Sequence, residues 1–126
     1  VCFSAPLAKL LEGADRGTVY VRVDYTDKSG RVYHNNYCLD KQKNMNYPKV
    51  DLQTEVRSIE GGYEVTVSTD KFARAVCLSV ADNESVYSDN YFDVQPKSSV
   101  QVQVRTRLSA EAFNASLRLT CLNNEF

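Results

Sequence analysis

The sequence predicts an all-β protein, an immunoglobulin-like antiparallel β-sandwich preceded by a partial β-sandwich hairpin unit. Two observations lead to this prediction. The 126 residues contain sixteen Val against ten Leu and one Ile, together with eight Tyr and five Phe. Such β-branched and aromatic side chains fit the pleated surface of a sheet. Apolar residues also recur at every second position in short segments separated by turn residues, which is typical of half-buried strands.

The charge balance limits the class of protein. Fifteen Lys and Arg against sixteen Asp and Glu give a net charge of −1, and the pI is about 5.8. Proteins that bind nucleic acid or an anionic membrane surface rely on a basic excess, so neither partner is expected. The apolar runs are too short to predict a membrane span, and no signal peptide is predicted within these residues.

The first part of the chain is predicted to contain a hairpin. Val1–Ala5 has the pattern of a short strand, and Leu7–Leu11 that of a single helical turn. Thr18–Thr26 alternates as a half-buried strand, Asp27–Gly30 predicts a turn, and Arg31–Leu39 predicts the return strand. The apolar face of the first hairpin strand consists of Val19, Val21, Val23 and Tyr25.

A polar segment without periodicity separates this hairpin from the rest of the chain. Residues Asp40–Pro48 have the composition of a linker and end in proline. About three strands are marginal as an independent domain. We therefore expect residues 1–48 to be part of an incomplete sandwich, and residues 49–126 to form a whole C-terminal sandwich.

The second part is predicted to form six or seven short strands. Val50–Arg57 and Tyr63–Ser68 alternate on either side of the turn Glu60–Gly62. Arg74–Ala81 is apolar or small on both faces, which predicts a strand covered on both sides. Further strands are predicted at Val86–Val94, with a bend at Ser88–Asn90, at Val100–Arg105 and at Leu117–Cys121. Regular short strands with turn signals between them are typical of a sandwich.

Few residues suggest catalysis or metal binding. The single histidine, His34, is predicted to be a half-exposed strand residue, since no second His stands at a metal-ligand spacing. The cysteines form no C-x-x-C pair, so no zinc or redox site is predicted, and four free thiols are favoured over two disulfides. Gly-rich phosphate loops and G-x-S-x-G elbows are missing, and no cofactor is predicted. The cysteines are Cys2, Cys38, Cys77 and Cys121.

Two tripeptides and a group of tyrosines are candidate carbohydrate-related signals. Asn83-Glu84-Ser85 and Asn114-Ala115-Ser116 match the N-glycosylation pattern, which matters only in a eukaryotic secretory route, and they are interpreted as markers of surface loops. Exposed tyrosines can form a sugar-stacking platform, but cross-strand packing is the favoured interpretation in a chain without Trp. The tyrosines in question are Tyr20, Tyr33, Tyr37, Tyr87 and Tyr91.

Three segments together carry a family resemblance. They read FSAPLAKLLEG, VRVDYTDKSGRVYHNNYCLDKQKNMNYPKVDL and VYSDNYFDVQPKSSVQVQV. They resemble the C-terminal end of β-mannosidases of glycoside hydrolase family 2, in which a hairpin with an aromatic return strand, a linker with Lys and Pro, and a Ser-Asp-Asn bend followed by aromatics occur in this order. The return strand is here Val32–Leu39 and the linker Lys41–Lys49. The bend comprises Tyr87, Ser88, Asp89, Asn90, Tyr91 and Phe92.

The resemblance implies a multidomain parent enzyme that hydrolyses terminal β-linked mannose with retention. Its two carboxyl groups, about 5 Å apart, would lie in a (β/α) barrel upstream of this segment. Family acid/base residues follow an Asn, and Asn83-Glu84 and Asn124-Glu125 occur here. Because neither has a barrel strand behind it, that role is not carried over. No catalytic, cofactor-binding or metal-binding residue is therefore predicted in this chain.

The bend is predicted to have a structural role. Asp89 and Asn90 can accept hydrogen bonds from nearby backbone amides in an Asx-type turn. We expect this turn to let the chain cross between the sheets while Tyr91 or Phe92 returns to the core. A ligand role for Asp89 is the less favoured interpretation.

Three functions remain open from the sequence. The first is a non-catalytic accessory domain of a β-mannosidase, with the other domains of the parent glycosidase as partners. The second is a carbohydrate-binding module with a mannose-containing glycan as partner, and the third a generic adhesion-type sandwich. The apolar hairpin face predicts self-association of the truncated chain or docking onto the sandwich. The resemblance implies a periplasmic, secreted or lysosomal location rather than a cytosolic one.

Overall fold

A computed structural model describes residues 4–125. The described part of the chain divides into two compact units, residues 4–47 and residues 48–125. Most of the strand predicted at Val1–Ala5 lies outside the described residues, and Ser4 and Ala5 are not in a strand. In the described part of the chain, every helix is too short or too polar to cross a bilayer.

The regular elements are mostly strands. The helices are α1 (Leu7–Leu11), α2 (Ala110–Ser116) and α3 (Leu122–Glu125), with single 3₁₀ turns at Arg16–Thr18 and Gln42–Asn44. The strands are β1 (Tyr20–Thr26), β2 (Val32–Cys38), β3 (Gln53–Ile59), β4 (Gly62–Thr69), β5 (Ala73–Ser79), β6 (Val86–Tyr87), β7 (Phe92–Val94), β8 (Ser98–Arg105) and β9 (Arg118–Thr120).

The first unit contains the predicted helical turn and hairpin. β1 and β2 pair antiparallel, from Tyr20 opposite Cys38 to Thr26 opposite Val32. At the turn, Asp27 Oδ1 accepts hydrogen bonds from the Ser29 hydroxyl at 2.6 Å and from the Ser29 amide at 2.8 Å. These bonds, led by the one from the Ser29 hydroxyl, hold the pKa of Asp27 below its ordinary value. An aspartate that binds amides two residues ahead is the expected turn chemistry.

The apolar face of this hairpin is exposed near the turn, so the half-buried state predicted for the first strand holds for Val19 and Val21 but is wrong for Val23 and Tyr25. Val23 is 58% exposed and Tyr25 64%, and Tyr37 on the paired strand is 67% exposed. The reason is that this sheet has two strands and no second layer within the unit. Two strands alone bury little side-chain surface.

The segment predicted as a linker is folded onto the first unit. Asp40 Oδ1 accepts hydrogen bonds from the Lys41 amide at 2.7 Å and from Asn44 Nδ2 at 3.0 Å, which encloses the 3₁₀ turn. The Asn46 amide then donates to the Gly17 carbonyl at 2.7 Å. Residues 40–47 are therefore an ordered end of the first unit.

The second unit is an immunoglobulin-like β-sandwich, as predicted. One sheet has the order β3-β4-β8-β6 and the other β7-β5-β9, and every pairing is antiparallel. A two-residue turn, Glu60-Gly61, joins β3 to β4, with Gly61 at a φ of +79°. The core between the sheets consists of Tyr63, Val65, Val67, Ala73, Val76, Leu78, Phe92, Val94, Val102, Val104, Phe113 and Cys121.

One strand departs from its predicted environment. β5 was expected to be covered on both sides, but only Ala73, Val76 and Leu78 are buried, while Cys77 is half-buried and Ser79 exposed. A bulge lies between Ala73 and Val76, so β5 has one more residue than the paired strand β7 over this stretch, and the alternation of its side chains shifts there. The small side chains on the outer face are thus partly solvated, which corrects the prediction.

Helices α2 and α3 follow β8 and β9, where the sequence analysis predicted no helix. Ser109 caps α2, since its Oγ accepts the Ala112 amide hydrogen at 3.2 Å. Phe113 on this helix is fully buried and stacks on Tyr63, with ring centroids 4.2 Å apart. The interpretation of Asn114-Ala115-Ser116 as a surface loop is therefore wrong, since Asn114 and Ser116 both lie in α2.

Candidate functional site

The bend from Tyr87 to Phe92 connects the two sheets of the sandwich. β6 ends at Tyr87 in the sheet with β8, and β7 begins at Phe92 in the sheet with β5. The four residues between them carry the chain from one layer to the other. The predicted course of the bend is thus what the structure shows, and each side chain in it has an identifiable partner or environment.

The first half of the bend extends the pairing with β8. The Ser88 amide donates to the Gln103 carbonyl at 2.9 Å. In return, the Gln103 amide donates to Ser88 Oγ at 2.9 Å. A side-chain hydroxyl here takes the place of a backbone carbonyl, so the ladder continues one residue beyond β6 while the backbone is free to turn away.

The second half attaches the bend to the other sheet through Asn90. Its Oδ1 accepts the Leu78 amide hydrogen at 2.7 Å, and its Nδ2 donates to the Leu78 carbonyl at 2.9 Å. The side-chain amide therefore satisfies both backbone groups of one β5 residue, as a neighbouring strand would. Sequence reasoning expected a nearby partner for Asn90, but the partner lies twelve residues earlier. Asp89 does bind locally, because its Oδ1 accepts the Asn90 amide hydrogen at 2.8 Å.

The aromatic residues of the bend lie in different environments. Phe92 is 9% exposed and belongs to the core, whereas Tyr91 is 74% exposed and has a φ of +57°. Of the two residues expected to return to the core, Phe92 is the one that does. A hydrogen bond with the Cys77 thiol raises the pKa of Tyr91. The Tyr87 hydroxyl accepts the Val80 amide hydrogen at 3.1 Å, and burial raises the pKa of Tyr87.

Asp93, directly after the bend, holds the bulge of β5. Its Oδ1 accepts the Ala75 amide hydrogen at 3.0 Å, and its Oδ2 pairs with Arg74 at 2.6 Å. Ala75 has a φ of +51°, a conformation that costs a residue with a Cβ about 1 kcal/mol or more. The sequence pattern did not single out Asp93, because a bulge leaves no signal in the alternation.

A second asparagine completes β5 at its other edge. Asn123, in α3, is 2% exposed. Its Oδ1 accepts the Arg74 amide hydrogen at 2.8 Å, and its Nδ2 donates to the carbonyls of Phe72 at 2.8 Å and Pro48 at 2.7 Å. Asn123 thereby fixes the beginning of the second unit against its end. Asn90 and Asn123 play equivalent roles on opposite halves of β5.

The residues considered for chemistry are dispersed. His34 lies exposed on β2, and Cys38, Cys77 and Cys121 are free thiols, while Cys2 lies outside the described residues. Burial raises the pKa of Cys121. Among residues 4–125, no three His, Cys, Asp or Glu side chains gather as metal ligands would. Glu84 lies in the β5–β6 loop and Glu125 at the end of α3.

The five tyrosines considered as a sugar platform do not form one surface. Tyr33 and Tyr37 share a hairpin face with Tyr25, but Tyr20 lies on the opposite face of the same hairpin by strand alternation. Tyr87 and Tyr91 belong to the second unit. Tyr25 and Tyr33 form a cross-strand pair with ring centroids 6.3 Å apart and planes inclined by 33°.

An open depression of about 660 Å³ lies beside the β5–β6 loop. Charged residues of both signs line it: Asp82 and Glu84 from that loop, and Arg105 and Arg107 from the end of β8 and beyond. The neighbouring Ser85, above all the dipole of its hydroxyl and then its amide, holds the pKa of Asp82 below its ordinary value. This polar lining contrasts with the mostly apolar lining of small-molecule sites.

The family of the chain follows from residues 46–125, which match the model of the mannosidase immunoglobulin-like domain family (Ig_mannosidase, Ig-fold domain). The chain belongs to this family. The match begins just before the second unit and covers all of its strands, the bend and both asparagines. No curated protein matches the chain. The match confirms the resemblance of this domain to a β-mannosidase-type immunoglobulin-like domain.

Proposed function

We propose that the chain is a non-catalytic accessory region of a β-mannosidase of glycoside hydrolase family 2, from the C-terminal end of that enzyme. The observation that carries the proposal is the family match over residues 46–125. The order of the three resembling segments supports the finer assignment to that enzyme family. Residues 1–48 are proposed to be the last strands of the penultimate domain.

The physical role proposed for the region is packing between domains. The sandwich encloses its own core and needs no further layer, whereas the hairpin leaves Val23, Tyr25 and Tyr37 exposed. Contiguous apolar surface of this kind is typical of a face that another protein element covers. In the parent enzyme the cover would be another part of the same polypeptide. In the isolated chain this face should cause self-association or docking onto the sandwich. Light scattering that shows a monomer in which these side chains are solvent-exposed would argue against its role in packing.

Activity measurements on the isolated chain test the proposal. Incubated with an aryl β-mannoside, the chain should release no aryl alcohol above the buffer rate. Glu84→Gln provides a matched control, because Glu84 follows an Asn and lines the depression. Turnover by the purified chain would overturn the proposal, and its loss in Glu84→Gln would place the reaction at the depression.

One observation favours a carbohydrate-binding module as the second candidate. Tyr25, Tyr33 and Tyr37 lie exposed on a single hairpin face, where a pyranose ring could stack. Retardation of the chain in a mannan-containing gel, lost in Tyr37→Ala, would support this candidate. A flat titration with mannose and manno-oligosaccharides would count against it and leave the packing role.

A location outside the cytosol is part of the proposal. The resemblance to glycosidases that act in lysosomes, periplasms or the exterior supports it. Fractionation of the native source should place the chain in one of these compartments. Its recovery in the cytosolic fraction alone would contradict this part of the proposal.

A further inference from the structure

The loop between β5 and β6 carries one of the two Asn-x-Ser tripeptides. Asn83 is exposed, and it stands in a connection without helix or strand between Ser79 and Val86. Within residues 4–125, the structure shows no hydrogen bond that holds the Asn83 side chain. The neighbouring Asp82 fixes the loop, since its Oδ1 accepts the Ser85 amide hydrogen at 3.0 Å and its Oδ2 accepts a hydrogen bond from Thr106 Oγ1 at 3.4 Å.

We propose that Asn83 is an acceptor for an N-linked oligosaccharide when the chain passes through a eukaryotic secretory route, and that Asn114 is not. The proposal rests on the non-cytosolic location proposed above, and through it on the resemblance that supports that location. The donor is an oligosaccharide linked to a lipid pyrophosphate. The Asn83 Nδ2–C1 bond forms as the bond between C1 and the phosphate oxygen breaks, so the lipid pyrophosphate leaves and Nδ2 loses one proton.

The timing of folding favours transfer to Asn83. The Ser85 hydroxyl is buried in the folded loop, so the tripeptide must be used before the loop closes. Besides the local Ser85–Asp82 bond, the folded loop is held by Thr106, twenty-four residues further along the chain. Until β8 has been synthesised and paired, residues 83–85 can become extended. In an extended tripeptide the first and third side chains lie on the same side, which puts the Ser85 hydroxyl beside the Asn83 amide.

The tripeptide at Asn114 lies in a local structure with the opposite geometry. In α2, residues two apart do not face each other, so the Asn114 amide and the Ser116 hydroxyl point away from each other. The Ser116 hydroxyl donates to the Ala112 carbonyl, four residues earlier, at 2.7 Å, and the Ala112 amide donates to Ser109 Oγ, three residues earlier, at 3.2 Å. All of these contacts are local. Their partners all lie within residues 109–117.

An oligosaccharide on Asn83 would also fix which surface of the sandwich faces solvent. Asp82 and Glu84, its chain neighbours, line the depression of about 660 Å³ beside the loop. A branched sugar attached between them would cover this end of the sandwich. Packing against other domains would then have to use surfaces away from the β5–β6 loop.

The test is site-resolved mass spectrometry of the chain expressed behind a cleavable secretion leader in cultured eukaryotic cells. Material from the cells and the medium is pooled, so that a variant retained inside the cells still reports. An amidase that releases N-linked sugars in ¹⁸O-water then marks each former glycosylated asparagine as a labelled carboxylate. We expect the label at position 83 in more than half of the chains and no label at position 114.

Four variants make the test specific. Asn83→Gln and Ser85→Ala should each remove the oligosaccharide mass from the whole chain, because the first lacks the acceptor and the second the hydroxyl. Ser85→Thr keeps a hydroxyl and should keep the modification. Asn114→Gln should leave the mass of the attached oligosaccharide unchanged. Unmodified wild-type chain, or label at position 114, would overturn the proposal.

Discussion

Replacing Asn123 by alanine removes the side chain that joins three separate backbone segments. Its amide binds the Arg74 amide hydrogen and the carbonyls of Phe72 and Pro48, at 2.7 to 2.8 Å, in a position that is 2% exposed. Alanine satisfies none of these groups. The bond to Phe72 is fully buried, and the other two are partly buried, so water can replace only part of what is lost.

The expected cost follows from these burials. A buried group left without a partner costs about 1–3 kcal/mol, and each partly buried bond contributes about 1 kcal/mol, which gives roughly 3–5 kcal/mol for Asn123→Ala. Domains of this size have a free energy of unfolding of about 5–15 kcal/mol. The variant should therefore lose about 3–5 kcal/mol of this free energy, and its urea midpoint should fall by about 1–5 M, since m is about 1–3 kcal/mol/M.

Urea unfolding followed by tyrosine fluorescence and by far-ultraviolet circular dichroism measures this cost. Asn124→Ala is the matched control, because exposed Asn124 binds only Val50, through bonds of 2.9 and 3.2 Å, and should cost about 1 kcal/mol or less. Asn123→Asp keeps the shape of the side chain but loses both donors and directs a carboxylate at two carbonyls, so it should be at least as destabilising as alanine. If Asn123→Ala unfolds within 1 kcal/mol of the wild type, the reasoning is refuted.

Three further predictions concern the bend and the core. Phe92→Ala should cost roughly 3–5 kcal/mol, since Phe92 is 9% exposed, and an unchanged melting temperature would contradict this. Asn90→Ala should lower the free energy of unfolding by about 2 kcal/mol, because both backbone groups of Leu78 lose their partner. The exposed control Asp89→Ala should lower it by under about 0.5 kcal/mol. Equal losses in the two variants would exclude the role of Asn90 as a bridge to β5. Burial raises the pKa of Cys121 above 9.0 in the folded state, so the unfolded chain loses that proton first. The contribution of this thiol to the free energy of unfolding should be complete below about pH 9 and decline at higher pH. The urea midpoint of the wild type should therefore fall more steeply between pH 8 and 10 than that of Cys121→Ala. Equal slopes in the two proteins would count against this prediction.

Local sequence signals were enough to predict the hairpins. Glu60-Gly61 joins β3 and β4 because glycine alone adopts the positive φ of 79° without steric cost. The next residue, Gly62, lies so close to β8 that an added Cβ would stand 1.9 Å from the Val104 carbonyl oxygen. Alternation on β4 then gave the correct buried face, with Val65 and Val67 fully buried. The glycine turn and the alternation of apolar residues can be recognised in the sequence because both depend on residues close to one another along the chain.

The parts that could not be predicted depend on partners far along the chain. The three hydrogen-bond partners of Asn123 are 49 to 75 residues away, and a single polar residue near the end of the chain gives no pattern that indicates them. Asn90 looked like a local turn residue, since the same residue type serves both purposes. Helix α2 had a visible signal in the Ser109 cap and the helix-forming residues after it, but seven residues are too few to predict a helix from periodicity.

The side chains of Asn90 and Asn123 complete the pairing of β5, one at each edge of the strand. Amide hydrogen exchange resolved by residue tests this claim most directly, at the amides of Arg74 and Leu78, whose acceptors are the side chains of Asn123 and Asn90. Both amides should exchange as slowly as that of Val65 in the middle of the neighbouring sheet. Exchange as fast as that of the exposed loop residue Asn83 would contradict the claim.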